Sequence, residues 1–335
     1  MGVVLSVEAL TDLVARVLVR HGMTARNAGI VAAVVVAAER DGARSHGLLR
    51  LSGYVATLKS GFVDGAAVPA VADAAPGLVA TDARNGFAQV ALADSRGLLE
   101  AKARAAGIAL LAIRNSHHFA ALWPDIEPFA DAGFVALAFG NVKSRIVPWG
   151  AKRKLLGTNP MAFACPRRDA PPLVWDQASS VVAQGEVLLA ASEGRRLTLG
   201  IGVDAAGTPT VDPQAILDGG ALMPFGGHKG SAIAFMVEVL AAAVTGGRFG
   251  FEDRSRAFPG AQTTNAGECV ILIDPTRTGG DAFADRIEAL LDALVASEVE
   301  RLPGAHRYAR RQHAEAHGIA LAERDHAAVM ALLDG

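Results

Sequence analysis

Three side chains capable of chemistry fall within six positions of this sequence. They lie in the segment Asp41 to Arg50, DGARSHGLLR, between two strongly apolar helical patterns. Ser45 offers a hydroxyl that donates or accepts, and His46 offers an imidazole that carries a proton near neutral pH. Arg50 follows four residues after His46, about one helical turn on. Its guanidinium can fork onto a carboxylate. A proton carrier, an orienting hydroxyl and a carboxylate clamp are the equipment for chemistry on a small acid. The same residues can also be ordinary structure, with Ser45 as a helix N-cap and His46 and Arg50 solvated. A lone Ser-His pair does not decide between the two.

The elements on either side must hold that loop. Ser6 and Thr24 read as N-caps and Gly22 and Gly61 as stops, which gives three helices in the first sixty residues. Leu48, Leu51, Val55 and Leu58 recur at one-turn spacing, so the third helix has a buried face. Next, LVATD (78–82) reads as a strand, Ala88 to Ala106 as a long helix ending at Gly107, and IALLAI (108–113) as a buried strand running into NSHHF. From Phe134 the segments FVALAFG, MAFACP, LVWDQA and LTLGIGVD read as strands. A helix over Ser231 to Thr245 follows the glycine-rich FGGHKG, then come strand ECVILID, a helix from about Asp281 to Glu300 and a helical tail. The expected division places 1–115 with 276–335 in one helical and mixed domain, and 116–275 in a strand-rich domain.

Composition narrows the function. The chain has 335 residues, 51% hydrophobic and 20% charged, so it folds rather than staying disordered. A net charge of −2, with 32 basic and 34 acidic residues intermixed, leaves no basic stripe for nucleic acid. The one local excess of positive charge is Lys143, Arg145, Lys152, Arg153 and Lys154, either a solvated loop or a neighbour of a phosphate-bearing ligand. Cys165 and Cys269 lie in apolar strands and behave as small hydrophobes. Apolar runs are short or interrupted by Glu238, so no membrane span is expected. MGVVLS fits the bare myristoylation pattern and equally a tail leading to Ser6; with no signal peptide, a cytoplasmic location is expected.

No Rossmann or P-loop fingerprint is present; GIGVDAAG and GGHKGS have the wrong spacing. Gly226, Gly227, Gly230 and Ser231 nevertheless open a helix, where backbone amides and Lys229 can receive an anion. His117 and His118 lack a cysteine, histidine or acid partner at metal-ligand spacing, so no metal site is expected. The turn GTNP leaves Thr158 and Asn159 as ligand contacts or as turn residues. A serine hydrolase is disfavoured, because no G-x-S-x-G elbow surrounds Ser45.

Taken together and in order, SHGLLR, NSHHFAALWPD, GTNPMAF, FGGHKGSAIAFMVEVLAAAVTGG and RLPG resemble the type II malate/L-lactate dehydrogenase family. DGARSHG, NGFAQ and LDGGALMPFGGHKGSA are most similar to its delta-1-piperideine-2-carboxylate/delta-1-pyrroline-2-carboxylate reductase subgroup. The resemblance implies a mixed α/β (α+β) fold without a classical Rossmann domain. It also implies NADPH-dependent reduction of a cyclic imino acid, with NADH as the other possible donor, by a cytoplasmic homodimer. By the same resemblance Ser45, His46 and Glu186 match the proton-relay positions, Glu186 standing where the subgroup carries Asp. Arg50 and Thr158 match substrate contacts. Matching cofactor contacts are Arg50, His118, Phe119, Ala120, Ala121, Leu122, Thr158, Asp176, Gln177, Ala178, Lys229, Gly230, Ser231, Arg301, Leu302, Pro303, Gly304, Ala305, His306 and Arg307. Ala305 and His306 differ from the acid and arginine expected there. Two other readings stay open: a dehydrogenase of open-chain 2-oxo or 2-hydroxy acids of the malate, lactate or ureidoglycolate type, and a nucleotide-binding module without turnover.

Overall fold

A computed structural model describes residues 2–335. Strand β1 (Val3–Leu5) leads into helices α1 (Val7–Arg20), α2 (Ala25–Arg40) and α3 (Leu51–Lys59). Both expected caps form: Ser6 Oγ accepts from the Ala9 amide at 3.0 Å and Thr24 Oγ1 from the Asn27 amide at 3.2 Å. Between α2 and α3 the chain makes two single 3-10 turns, Arg44–His46 and Leu48–Arg50. Strands β2 (Ala70–Ala75) and β3 (Leu78–Phe87), helix α4 (Ala88–Ala106), strand β4 (Ile108–His117) and helix α5 (Trp123–Asp131) follow. Helix α4 stops at Gly107, which takes the left-handed conformation at φ +82°.

The middle of the chain supplies β5 (Val135–Gly140), β6 (Met161–Cys165), β7 (Leu173–Gln177), α6 (Gln184–Ser192), β8 (Gly202–Val203), β9 (Pro209–Thr210), α7 (Pro213–Leu217), β10 (Ala221–Leu222) and α8 (His228–Glu238). Then come β11 (Asn265–Ile273), α9 (Ala282–Ala296), α10 (Ala305–His317), β12 (Ile319–Leu321) and α11 (Glu323–Asp334).

One seven-stranded sheet, in the order β2-β3-β4-β11-β5-β6-β7, organises the molecule. Only β3 and β4 run parallel, joined through α4; every other neighbouring pair is antiparallel. Alternation along β11 sorts its side chains. Val270 and Leu272 enter the core with Leu99 of α4 and Ile126 and Phe129 of α5. Cys269 and Ile271 face the other way, against Val237 of α8 and Phe139 of β5. Both cysteines are buried and free. Strand β1 pairs with β12, and Val329 of α11 shares a core with Leu10, Val14 and Leu51, so the C-terminal tail packs on the N-terminal helices. The expected cut at 115/116 falls inside β4, and the sheet is continuous across it.

Two sequence expectations change, and two strands go unannounced in the sequence. Of LTLGIGVD only Gly202–Val203 is strand, in a small sheet ordered β10-β8-β9, because Gly200 turns at φ +95° within the segment. Strands β1 and β2 carry no apolar alternation that would announce them. The helix expected over 231–245 begins at His228 and ends in a π turn over Val239–Ala243. Glu238, the acid that interrupts that apolar run, is 4% exposed and accepts from Asn141 Nδ2, Asn159 Nδ2 and the Gly250 amide. It ties α8 to the loops that follow β5 and precede β6.

Candidate active site

The loop carrying Ser45 and His46 is fixed from beneath by the last residues of α2. Asp41 is bound by Arg40 and by Arg311 of α10, Nη2 of the latter at 2.6 Å from Oδ2. Burial alone would raise the Asp41 carboxyl, but these two guanidinium groups outweigh it and hold it below the ordinary carboxylate range. Glu39 Oε2 accepts from the Leu48 amide at 3.0 Å. A Cβ at Gly47 would lie 2.3 Å from that oxygen, so glycine is required where the chain passes.

On this support Ser45 Oγ stands 3.0 Å from His46 Nδ1. Arg50 Nε donates to the Ser45 carbonyl at 2.7 Å, and its guanidinium lies over the Phe119 ring at 4.5 Å. Its two terminal nitrogens have no partner among the described residues. The His46 imidazole is pushed down to about 4 by burial and then by the positive charges of Arg50 and His118. Ser45, His46, Arg50, His118 and Phe119 therefore form one cluster.

The adjacent histidines at the end of β4 part company. His117 is fully buried, with Nδ1 2.7 Å from Thr263 Oγ1 and Nε2 3.0 Å from Asn85 Oδ1, and burial holds it neutral with a pKa near 3. His118, one residue on, turns to the other side. Its Nε2 is 2.7 Å from Asp125 Oδ2. Burial disfavours the His118 cation, yet Asp125, with smaller help from Glu268 and Asp176, raises it to about 9. The reason for setting His118 aside as a metal ligand was the lack of acid partners, and the fold supplies them in Asp125 and Glu268. Neither was singled out from the sequence. The available signal for Glu268 was an acid standing at the head of the apolar run CVILI.

The second wall runs along the end of β7. Asp176 Oδ2 accepts from the Leu122 amide at 3.1 Å, with Arg307 Nη1 3.8 Å from Oδ1, and burial raises its carboxyl against that guanidinium. Ala120 and Ala121 line the turn between Phe119 and Leu122, while Gln177 is exposed and Ala178 half-buried. Arg307 also donates to the Val174 carbonyl at 2.5 Å and lies 4.8 Å from the Trp123 ring. Gly304 turns at φ +80° against the same carbonyl. Arg301, Pro303, Ala305 and His306 are exposed and Leu302 is half-buried.

Of the GTNP turn, Asn159 is structural: Nδ2 donates to the Ala234 carbonyl at 2.9 Å and to Glu238. The Thr158 hydroxyl makes no bond among the described residues, while its carbonyl accepts from Ser179 at 2.7 Å. Ser179 also receives Phe225 through its carbonyl, which brings the glycine turn and Lys229, Gly230 and Ser231 beside the end of β7. A Cβ at Gly230 would fall 1.8 Å from the Phe225 carbonyl oxygen, and Ser231 Oγ accepts from the Trp149 amide at 3.1 Å. Lys229 is exposed.

Two placements differ from a simple relay. Gly185 at the start of α6 packs toward Ser45, a Cβ there lying 3.8 Å from the serine Cβ, yet the next residue, Glu186, is exposed and bonds neither Ser45 nor His46. Of the basic cluster, Arg145 is the member whose charge is opposed by Arg50, after burial, which lowers its pKa most. Lys154 instead donates to the Gly219 and Gly220 carbonyls at 3.3 and 3.1 Å.

The chain is 53% identical over 316 residues to a delta(1)-pyrroline-2-carboxylate/delta(1)-piperideine-2-carboxylate reductase of Pseudomonas syringae pv. tomato, covering 94% of this chain and 92% of that protein. It is 41% identical over 293 residues to a (2R)-3-sulfolactate dehydrogenase (NADP(+)) of Chromohalobacter salexigens, covering 87% and 86%. The crystal structure of the delta1-piperideine-2-carboxylate reductase from Pseudomonas syringae pv. tomato superposes with a TM-score of 0.97 at 52% identity, over 98% of this chain and 99% of that one. Residues 5–330 match the family model described as malate/L-lactate dehydrogenase, and the chain belongs to that family.

Proposed function

We propose that this protein reduces cyclic imino acids, delta-1-piperideine-2-carboxylate to L-pipecolate and delta-1-pyrroline-2-carboxylate to L-proline, with NADPH as donor. The observation that carries the proposal is the meeting of a serine-bound imidazole with a guanidinium whose terminal nitrogens are free, beside Thr158 and the end of β7. The 53% identity to a reductase of these substrates supports the choice of a C=N bond over a C=O bond.

The residues present fit a dinucleotide. The first amides of α8 have no intrahelical acceptor, and Lys229 stands exposed beside them, which suits a phosphate. Near the other wall His306 lies among Arg301, Arg307 and Arg310, whose charges lower its pKa after burial does. That positive ground suits the additional phosphate of NADPH. When bound, the cofactor supplies hydride to C2 of the imine.

The chain's own part is to hold the substrate and deliver a proton. Arg50 grips the carboxylate with Thr158 as a hydroxyl donor, and His46 protonates the ring nitrogen, which makes C2 more electrophilic. In the free protein burial, and then the positive field of Arg50 and His118, keep His46 neutral. A substrate carboxylate placed at Arg50 cancels part of that field and favours the imidazolium where it is needed. Ser45 fixes the ring through Nδ1. Glu186 completes the relay only if the first turn of α6 shifts toward Ser45. A placed general acid is worth about 10²- to 10⁴-fold in rate.

Oxidation of NADPH and of NADH, followed with both cyclic imines and a panel of 2-oxo acids, tests the proposal. Turnover with the imines, faster with NADPH, is expected. Turnover confined to 2-oxo acids would transfer the site to the dehydrogenase reading, and binding without turnover would make it a nucleotide-binding module. We also propose a cytoplasmic homodimer, for which light scattering on the active protein is the check. No helix among the described residues is long and apolar enough to cross a membrane.

A further inference from the structure

Glu268 is the one acid of strand β11, in a run that is otherwise apolar from Ala266 to Ile273. Its side chain shares a face with Val270 and Leu272, toward the core built with α4 and α5, and is 1% exposed. Neither carboxyl oxygen has a hydrogen-bond partner among the described residues. A carboxylate so placed is heavily penalised unless it is neutral or answers a positive charge. The groups nearest to it are His118 and Asp125. One ligand atom from each of the three lies within 4.8 Å of the others, and the histidine and aspartate are bonded directly at 2.7 Å. His118 in turn opposes positive charge on His46.

We propose that Glu268 is a positioning residue: once ionised it joins Asp125 in holding the charge of His118, and through His118 it sets the field in which His46 transfers its proton. The inference rests on the reading of His46 given above and deepens it. Burial, and then the negative charge of Asp125, push the Glu268 carboxyl well above the ordinary carboxylate range. It is a neutral acid at neutral pH, so the cluster holds one imidazolium and one carboxylate. The other titratable groups facing it are accounted for: Asp176 of β7 lies against Arg307 of α10, Tyr54 of α3 is kept neutral by burial, Arg50 lies on the His46 side, and Cys269 is on the opposite face of β11. When Glu268 loses its proton, a second negative charge joins the cluster. The His118 cation is then favoured to higher pH.

Histidine-labelled full-length protein, wild type and with Glu268→Gln or Glu268→Asp, is titrated by NMR, and kcat and KM are measured across the same pH range. Wild-type His118 is expected to titrate well above an ordinary imidazole. Glu268→Gln, near-isosteric and unable to ionise, should lower the His118 midpoint by about one pH unit or more and move the alkaline limb of kcat/KM with it. Glu268→Asp should restore both in part, with NADPH affinity unchanged in either variant. Equal midpoints in all three proteins would overturn the proposal, as would a stoichiometric divalent cation in the purified protein. A shifted midpoint with an unshifted rate profile would overturn the link to His46. The titration needs no substrate, so it judges the charge cluster even if no cyclic imine is turned over, which would count against the reaction instead.

Discussion

Replacing Arg50 with lysine keeps the positive charge and removes the fork. Arg50 spends its Nε on the Ser45 carbonyl at 2.7 Å and its face on the Phe119 ring at 4.5 Å, which leaves two terminal nitrogens side by side. That pair matches a carboxylate through two parallel charge-assisted bonds, and a lysine ammonium cannot reproduce both. One such bond is worth about 1.5–3 kcal/mol, and at about 1.4 kcal/mol per decade the loss is roughly one to two powers of ten. It should appear in the KM for the imino acid at saturating NADPH, with kcat changed less, because the clamp acts on bound substrate and transition state alike. Arg50→Gln supplies the charge control. His46 sits near 4 because of burial and then Arg50 and His118, so removing the cation should raise its pKa while the lysine variant leaves it nearly in place. The kcat profile should therefore move to higher pH for glutamine only. Steady-state NADPH oxidation between about pH 5 and 9, with cofactor affinity from fluorescence, separates the terms. An unchanged KM in Arg50→Lys would refute the clamp. A loss of NADPH affinity that shrinks with added salt would assign the guanidinium to the cofactor phosphates.

His46→Ala should lower kcat by about 10²-fold or more with NADPH affinity nearly unchanged, and Ser45→Ala should cost less, since water replaces a hydroxyl more readily than a proton carrier. An unaltered kcat in His46→Ala would remove it as the acid. Asp125→Asn should erase a pH-dependent share of stability. His118 rises from 6.5 to about 9 on folding, so its contribution of about 3 kcal/mol is fully present below about pH 6.5 and is lost as pH rises through 9. Urea midpoints at about pH 6 and 9.5 check this, and an equal difference in wild type and variant would contradict it. Prolonged dialysis against a chelator should leave turnover intact, because the proposed chemistry draws its proton from His46 and its clamp from Arg50; activity lost and then restored by zinc would contradict that.

What could be read from the sequence is what neighbours in the chain decide among themselves. The caps at Ser6 and Thr24, the span of α4 and the Ser45–His46–Arg50 turn depend on contacts a few residues long, and all are present in the fold. The short strand β8 was overestimated because an apolar run does not show where a glycine will turn it. Residues that set the charge of the site were harder to find, since they meet only when the sheet is assembled. His118 comes from the end of β4, Asp125 from α5 and Glu268 from β11, and nothing in the local spacing pairs them.

The backbone path at the strand ends then separates roles that composition cannot. His117 and His118 are chemically identical and adjacent. One turns toward Thr263 and Asn85 and is held neutral by burial, whereas the other reaches Asp125 and is held cationic. Thr158 and Asn159 divide in the same way, the asparagine committed to Ala234 and Glu238 and the threonine hydroxyl without a partner among the described residues. A single step along the backbone decides which member of each pair holds the fold and which, on the proposed reading, faces the chemistry. In this chain the path of the backbone at the strand ends selects the less buried member of each pair at least as much as its side-chain type does.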